Sequence, residues 1–235
     1  METTAERTVW VEVGFWRAVT TMVWKDLVAE LRNKEIVSAM LVFSLLVVLI
    51  FNFALELDRY ARVNVAAGVL WVILVFSSTL ALNRTFAAEK ERNSMDGLLL
   101  APVDRSVIYF GKLLITLIFV LLVQTVVIPV FSILFNVDLL KPMFLLVVLL
   151  GATGYVVVGT LLSAMAVHTR AREVMLPILL FPITVPIVLA AVRASEGILA
   201  GLDWRRVAGP INLIIAYDII FLAISYMVFD YLVDE

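Results

Sequence analysis

Long apolar runs alternate with short charged stretches along the whole chain. Runs free of charged residues and histidine cover 36–55, 63–83, 113–137, 142–167 and 174–192, which is 20, 21, 25, 26 and 19 residues. Each is long enough to cross a hydrocarbon core of about 30 Å as a helix of about 20 residues. A last run, 207–229, is equally apolar but is broken once, by Asp218. The alternating ten-residue segments of a membrane barrel are missing, so a helical bundle is the way to satisfy the backbone in lipid. The pattern predicts an all-α polytopic membrane protein, one transmembrane domain over 1–235. Its six transmembrane helices are expected at 36–56, 63–84, 107–136, 142–168, 174–193 and 208–230.

Other segments read differently. Residues 15–34 are too charged to span. On a helix, Phe15, Trp16, Val19, Met22, Val23, Leu27 and Leu31 share one broad side, and Arg17, Thr21, Lys25 and Arg32 the other. This is the pattern of an amphipathic helix in the membrane interface, with tryptophans at headgroup depth. Asp26 and Glu30 fall among the apolar residues, so this side is expected to touch protein, with Lys25 nearby and both acids meeting basic groups. Residues 195–210 contain a short apolar centre and several glycines, and read as an outer re-entrant or interfacial segment. In the fifth span Pro177, Pro182 and Pro186 each remove a backbone donor. A kinked or broken helix, the place for a gate, is expected there. In the fourth span Gly151, Tyr155, Gly159 and Ser163 recur every four residues, a stripe on which another backbone can approach closely.

The loop between the second and third spans is elaborate. Asn93 and Ser94 are good N-cap residues, Asp96 suits a first helical turn, and Pro102 ends any helix by about Ala101. The result is a short helix carrying Met95, Leu98, Leu99 and Leu100, shouldered by Glu89, Lys90, Glu91 and Arg92. Such an apolar key fits a groove in another protein or rests on the bilayer surface.

Composition agrees with the pattern: 63% of the 235 residues are hydrophobic and 16% charged, against roughly 45–50% apolar in soluble domains. Of the 18 lysines and arginines, twelve fall on the side shared by the termini and the second-to-third-span loop, and six on the other. The positive-inside rule makes that loop and both termini cytoplasmic. A net charge of −2 gives no reason to expect a nucleic-acid partner. There is no cysteine, which excludes disulfides and thiol chemistry. Residues 1–12 do not read as a signal peptide, so the first span is expected to act as its own insertion signal.

Candidate chemistry is sparse. Asp218 is the one acid inside a span, and burying a carboxylate there costs about 2.5–3.5 kcal/mol on insertion scales. If its helix begins near Pro210 it lies about 12 Å along it. Pairing with Arg193, pairing with a partner subunit, and lining a polar vestibule are the alternatives. His168 is the single histidine. One histidine cannot build a zinc site, so no metal is expected, and heme ligation by His168 is the weaker reading beside a helix-end surface residue. Gln124 and Pro129 in the third span read as packing and kink features. Gly111 and Lys112 do not make a P-loop, which needs glycine where Ser106 stands and serine or threonine where Leu113 stands. Paired acids and a nucleophile with a base are missing from the spans as well. A catalytic role is not expected.

Four stretches carry a resemblance. "WKDLVAELRNKE" before the first span, "GLLLAPVDRSVIYFGK" after the second, "TRAREVMLPILL" entering the fifth and "YDIIFLAISYMVFDYLVDE" at the end resemble the heme exporter protein B (CcmB) family. This family provides the ABC-2 type permease of bacterial cytochrome c maturation. The resemblance runs in the same order over nearly the whole chain. It implies the ABC-2 exporter fold, a multi-pass protein of the bacterial inner membrane, and pairing with a second copy. It also implies a separate ATPase subunit (heme exporter protein A) that binds ATP, the heme-handling membrane protein C, the small protein D, and a periplasmic heme chaperone. The loop between the second and third spans then becomes a coupling helix, 89–102, with Glu89, Glu91, Arg92, Ser94, Met95, Leu98, Leu99 and Pro102 as ATPase contacts. Heme is implied as the cargo of the complex, not as a cofactor of this chain. Two other readings stay open at this point: an ABC-2 permease for another lipid-like or polysaccharide cargo, and a stand-alone secondary transporter using Asp218.

Overall fold

A computed structural model describes residues 14–54, 59–91, 105–166 and 172–232. Seven helices and no strand occur among them. In chain order they are α1 (Phe15–Asn33), α2 (Glu35–Ala54), α3 (Arg59–Glu91), α4 (Arg105–Phe135), α5 (Pro142–Ala166), α6 (Arg172–Leu199) and α7 (Trp204–Leu232). Helices α2 to α7 each contain a stretch long and apolar enough to cross a membrane, from Glu35–Ala54 in α2 to Trp204–Val228 in α7. Both α3 and α5 form the middle of the bundle, with 72% of the residues in their apolar stretches buried. At the periphery are α2, with 17%, and α7, with 22%.

Stripes of small residues explain why α5 is central. A methyl group added at Gly151 would stand 2.3 Å from the Trp71 ring of α3, and one at Gly159 would stand 2.2 Å from the Leu82 side chain. Between and beyond these glycines, the Tyr155 hydroxyl lies 2.8 Å from Thr79 Oγ1, and Ser163 donates to the Leu82 carbonyl at 3.4 Å. The four-residue stripe expected on this helix is thus the seam against α3, and polar side chains along it find partners on the facing helix. Trp71 Nε1 donates to Ser195 Oγ of α6 at 2.9 Å, and Tyr109 of α4 donates to the Val157 carbonyl at 3.1 Å. Paired this way, side-chain hydrogen bonds hold apolar helices together where lipid offers no competing partner.

Helix ends correct three boundaries. The separate outer segment expected at 195–210 does not form. Helix α6 runs on to Leu199, and a four-residue turn leads straight into α7. Leu202 N–H donates to the Gly197 carbonyl at 2.9 Å and Gly201 N–H to Ile198 at 3.2 Å, with Gly201 at φ +70°. This is a Schellman stop, which needs a left-handed residue and so favours glycine. Asn136, at φ 51°, ends α4 with the same pair of bonds. Next, α7 starts at Trp204 and not near Pro210, which places Asp218 about 21 Å along it, near its middle. Finally, α3 continues through Glu91, so Glu89 and Glu91 belong to its end. The rest of the expected coupling helix, with Arg92, Ser94, Met95, Leu98, Leu99 and Pro102, lies outside the described residues, as does His168.

Of the kinked or broken helix expected in the fifth span, the broken form is corrected. Helix α6 is continuous through Pro177, Pro182 and Pro186. Pro182 and Pro186 face outward and Pro177 is half-buried, whereas Leu176, Leu180, Thr184, Ile187 and Ala191 are turned into the core. The carbonyls that lose a helical donor are therefore mainly on the outward flank. Inside the stretch, the Thr184 hydroxyl donates to Leu180 at 2.9 Å and Tyr217 of α7 donates to Ile183 at 3.1 Å. Both bonds tie the inward flank of the stretch, beside the prolines and not at the carbonyls whose i+4 donor the prolines remove.

Candidate functional site

Two places concentrate polar groups that the bundle does not need for packing alone. One joins α1 to the first turns of α4 and α2. The other lies in the middle of the membrane between α5, α6 and α7.

At the first, Val19 and Met22 of α1 are buried against α4. Gly111 makes the approach possible: a methyl group there would stand 2.6 Å from the Met22 sulfur. The next residue, Lys112, has a side chain only 3% exposed, and its Nζ lies 2.7 Å from Asp26 Oδ2. Lys25 approaches the other carboxylate oxygen at 3.4 Å from a half-exposed position. A buried ammonium is costly unless paired, and removing one partner of such a pair costs about 3–5 kcal/mol. Asp26 therefore fixes the rotation of α1 about its axis. Phe15 packs edge-on against Phe110 with ring centroids 5.9 Å apart, which extends the contact by a turn.

Glu30 corrects the expectation that it meets a cation. It is buried, and its Oε1 accepts the Val37 N–H at 2.8 Å. Val37 is the third residue of α2, where helical N–H groups lack internal partners and the helix dipole favours negative charge. The left-handed Lys34, at φ 54°, makes the corner that brings Glu30 over this end. Arg84 pairs with Glu35 nearby, but both are more than half exposed, and such a pair contributes little.

The second place surrounds Asp218. It is half-buried, and Oδ1 is buried without a hydrogen-bond partner. Of the three alternatives for it, pairing with Arg193 does not form: Arg193 is exposed, and no ion pair joins the two. Instead the carboxylate faces the backbone of α5, where a methyl group at Gly154 would stand 2.1 Å from Oδ1 and 2.2 Å from the end of Ile187. Tyr217 is stacked on Phe221 and, through its bond to Ile183, holds α7 to α6. Gly154 was not singled out in the sequence, because it lies off the stripe of Gly151 and Gly159. Only the carboxylate opposite reveals its part.

Gln124 is another unsatisfied polar group. It is buried, both amide atoms lack partners, and it lines a cavity of about 310 Å³ between α4 and α5 with Pro129, Thr125 and apolar side chains. The described residues include no group of three or more histidine, cysteine or acidic side chains able to hold a metal. What the two main places can do is mechanical: one couples helices through charge, and the other keeps a seam incompletely bonded.

A family model described as "CcmB protein" matches residues 17–232, nearly the whole chain. The chain belongs to the CcmB family. Similar proteins include heme exporter protein B of Rhodobacter capsulatus, 28% identical over 174 residues, which cover 72% of this chain and 80% of that one. Heme exporter protein B of Bradyrhizobium diazoefficiens is 24% identical over 209 residues, covering 88% and 93% of the two chains. That of Pseudomonas aeruginosa is 25% identical over 175 residues, covering 74% and 76%. The CcmB match includes both polar places and residues 92–104, so the junction of α1 with α4 belongs to the shared part of the chain.

Proposed function

We propose that the chain is the non-catalytic permease subunit of an ATP-driven complex that handles heme for cytochrome c maturation. The observation that carries this reading is the CcmB match over 17–232, together with relatives named heme exporter protein B. Heme is the cargo, ATP binds to a separate ATPase chain, and this subunit pairs with a second copy in the bacterial inner membrane with both termini cytoplasmic. The heme-handling protein C, the small protein D and a periplasmic heme chaperone complete the set of partners. The absence of a P-loop at Gly111 and Lys112 supports placing the nucleotide elsewhere.

The junction described above supports a route for movement. Residues 92–104 lie between α3 and α4 in the chain, and Glu89, Glu91, Arg92, Ser94, Met95, Leu98, Leu99 and Pro102 are the proposed ATPase contacts. A push on this segment reaches α4. It is shared with α1 through the Asp26–Lys112 pair and the Met22–Gly111 contact, and passes on to α2 through Glu30. Leu98→Asp and Glu91→Lys are expected to abolish co-purification of the ATPase while the chain remains in the membrane at parental levels. Undiminished co-purification would overturn the coupling role. Deletion is expected to remove holo-cytochrome c while heme synthesis continues. Normal holo-cytochrome c after deletion of a chain that does co-purify the ATPase would point instead to an ABC-2 permease for a different lipid-like or polysaccharide cargo. Transport by the purified chain without ATPase would favour the secondary transporter using Asp218.

A further inference from the structure

Three sectors can be followed around α1. Val19, Met22, Asp26 and Glu30 face the protein, as described. In the adjoining sector, at about 100° per residue, stand Trp16, Thr20, Trp24 and Leu31. All four are exposed, Trp16 to 68%, Trp24 to 65% and Leu31 to 62%. Beyond them come Arg17, Thr21, Lys25 and Arg32, also exposed, with Lys34 just past the helix end. Asp26 and Glu30 are the only acids in α1. Both belong to the inner sector and are engaged there, so the two outer sectors together are apolar and basic.

The level of α1 along the bundle is set by its contacts. It touches Gly111 and Lys112, early in the α4 span that begins at Ser106, and Val37, early in the α2 span that begins at Glu35. These are the turns at which two spans enter the membrane. A pair of exposed tryptophans and a leucine at that level, bordered by arginines, matches the face of an interfacial helix whose apolar side sinks to the acyl boundary. Basic side chains beside such a face attract anionic headgroups.

We infer that the Trp16–Trp24–Leu31 stripe is seated in the bilayer and that Arg17, Arg32 and Lys34 beside it collect anionic phospholipid headgroups. The inference does not depend on the ATPase reading. Its consequence is that lipid charge acts on α1, and through Asp26 and Lys112 on α4.

The chain has no cysteine, so a single fluorophore can be placed by Trp24→Cys or, as a second position on the same stripe, Thr20→Cys. The labelled chain is put in nanodiscs containing phosphatidylcholine and phosphatidylglycerol, with bromine near the headgroup end of the acyl chains of one lipid or the other. Quenching is expected at both positions. It should be at least about threefold stronger when phosphatidylglycerol carries the bromine, since each basic side chain near the surface enriches anionic lipid by about fivefold. The preference should fall to about one in the combined Arg17→Gln, Arg32→Gln, Lys34→Gln chain, with an unchanged gel-filtration profile. No quenching by either lipid would overturn the inference, whether water or a soluble protein covers the stripe. Equal quenching by both lipids in the parent chain would overturn the anionic preference.

Discussion

The two faces of α5 are built by the same device and finished differently. Toward α3, Gly151 and Gly159 let the helices close, and Tyr155–Thr79 and Ser163–Leu82 hydrogen bonds complete the contact. Toward α7, Gly154 likewise makes room, but what enters is the Asp218 carboxylate, one oxygen of which has no partner. An unpaired buried polar atom costs about 1–3 kcal/mol, and more when charged. Ser78 Oγ of α3 and Thr160 Oγ1 of α5 are also buried without partners, but they are neutral hydroxyls; the α7 seam, with its carboxylate, has the most free energy to gain from rearranging. The surroundings agree, since α3 is mostly buried and α7 mostly exposed.

This contrast is open to being broken by substitution. The largest effect is expected from Gly159→Leu, which drives a branched side chain into Leu82 at the closed seam. Overpacking typically costs about 1–3 kcal/mol, and with no slack between two central helices about 3 kcal/mol is expected. Loss of the monodisperse peak in detergent, or a large drop in unfolding temperature, measures it. Tyr155→Phe leaves Thr79 without its side-chain partner and is expected to cost about 1 kcal/mol. Gly154→Ala comes next: the closest atoms it meets, the Asp218 carboxylate and the end of Ile187, are side-chain tips able to give way, while the Tyr217 ring stands 3.2 Å off, so a loss of about 1 kcal/mol is expected. Asp218→Asn is expected to be smallest in stability, within about 0.5 kcal/mol of the parent or above it, because no ion pair is lost and a buried charge is removed. If Asp218→Asn unfolded the protein as severely as Gly159→Leu, the α7 seam would be as fixed as the α3 seam. Holo-cytochrome c formation lost in Asp218→Asn at normal stability would assign the carboxylate to the working cycle.

How much of this was legible from sequence depends on what enforces each feature. The six spans were legible because lipid demands about 20 apolar residues per crossing, a requirement written in consecutive positions. Their ends were not. Charges at Arg193 and Glu196 interrupt the apolar run but do not stop α6, whose end is set by the conformation of Gly201. For the same reason α3 extends through charged residues to Glu91. Asp26 and Glu30 were conspicuous as acids on an apolar side, and contact with protein follows from that. That Lys112, 86 residues away, receives one and a backbone N–H the other is not written locally. Asp218 stood out as the one acid in a span. Its neighbour Gly154 did not, since a missing side chain signals only when something occupies the space.

Glu30 has a further consequence for how the protein is made. At 20 residues α2 is about 30 Å long, close to the thickness of the hydrocarbon it crosses, and few of its residues are gripped by neighbours. Length alone leaves such a helix free to slide along the membrane normal at a cost of fractions of a kcal/mol per ångström. The Glu30 carboxylate bound to Val37 acts as a depth stop on α2. It sets the vertical register from which the later helices can be threaded.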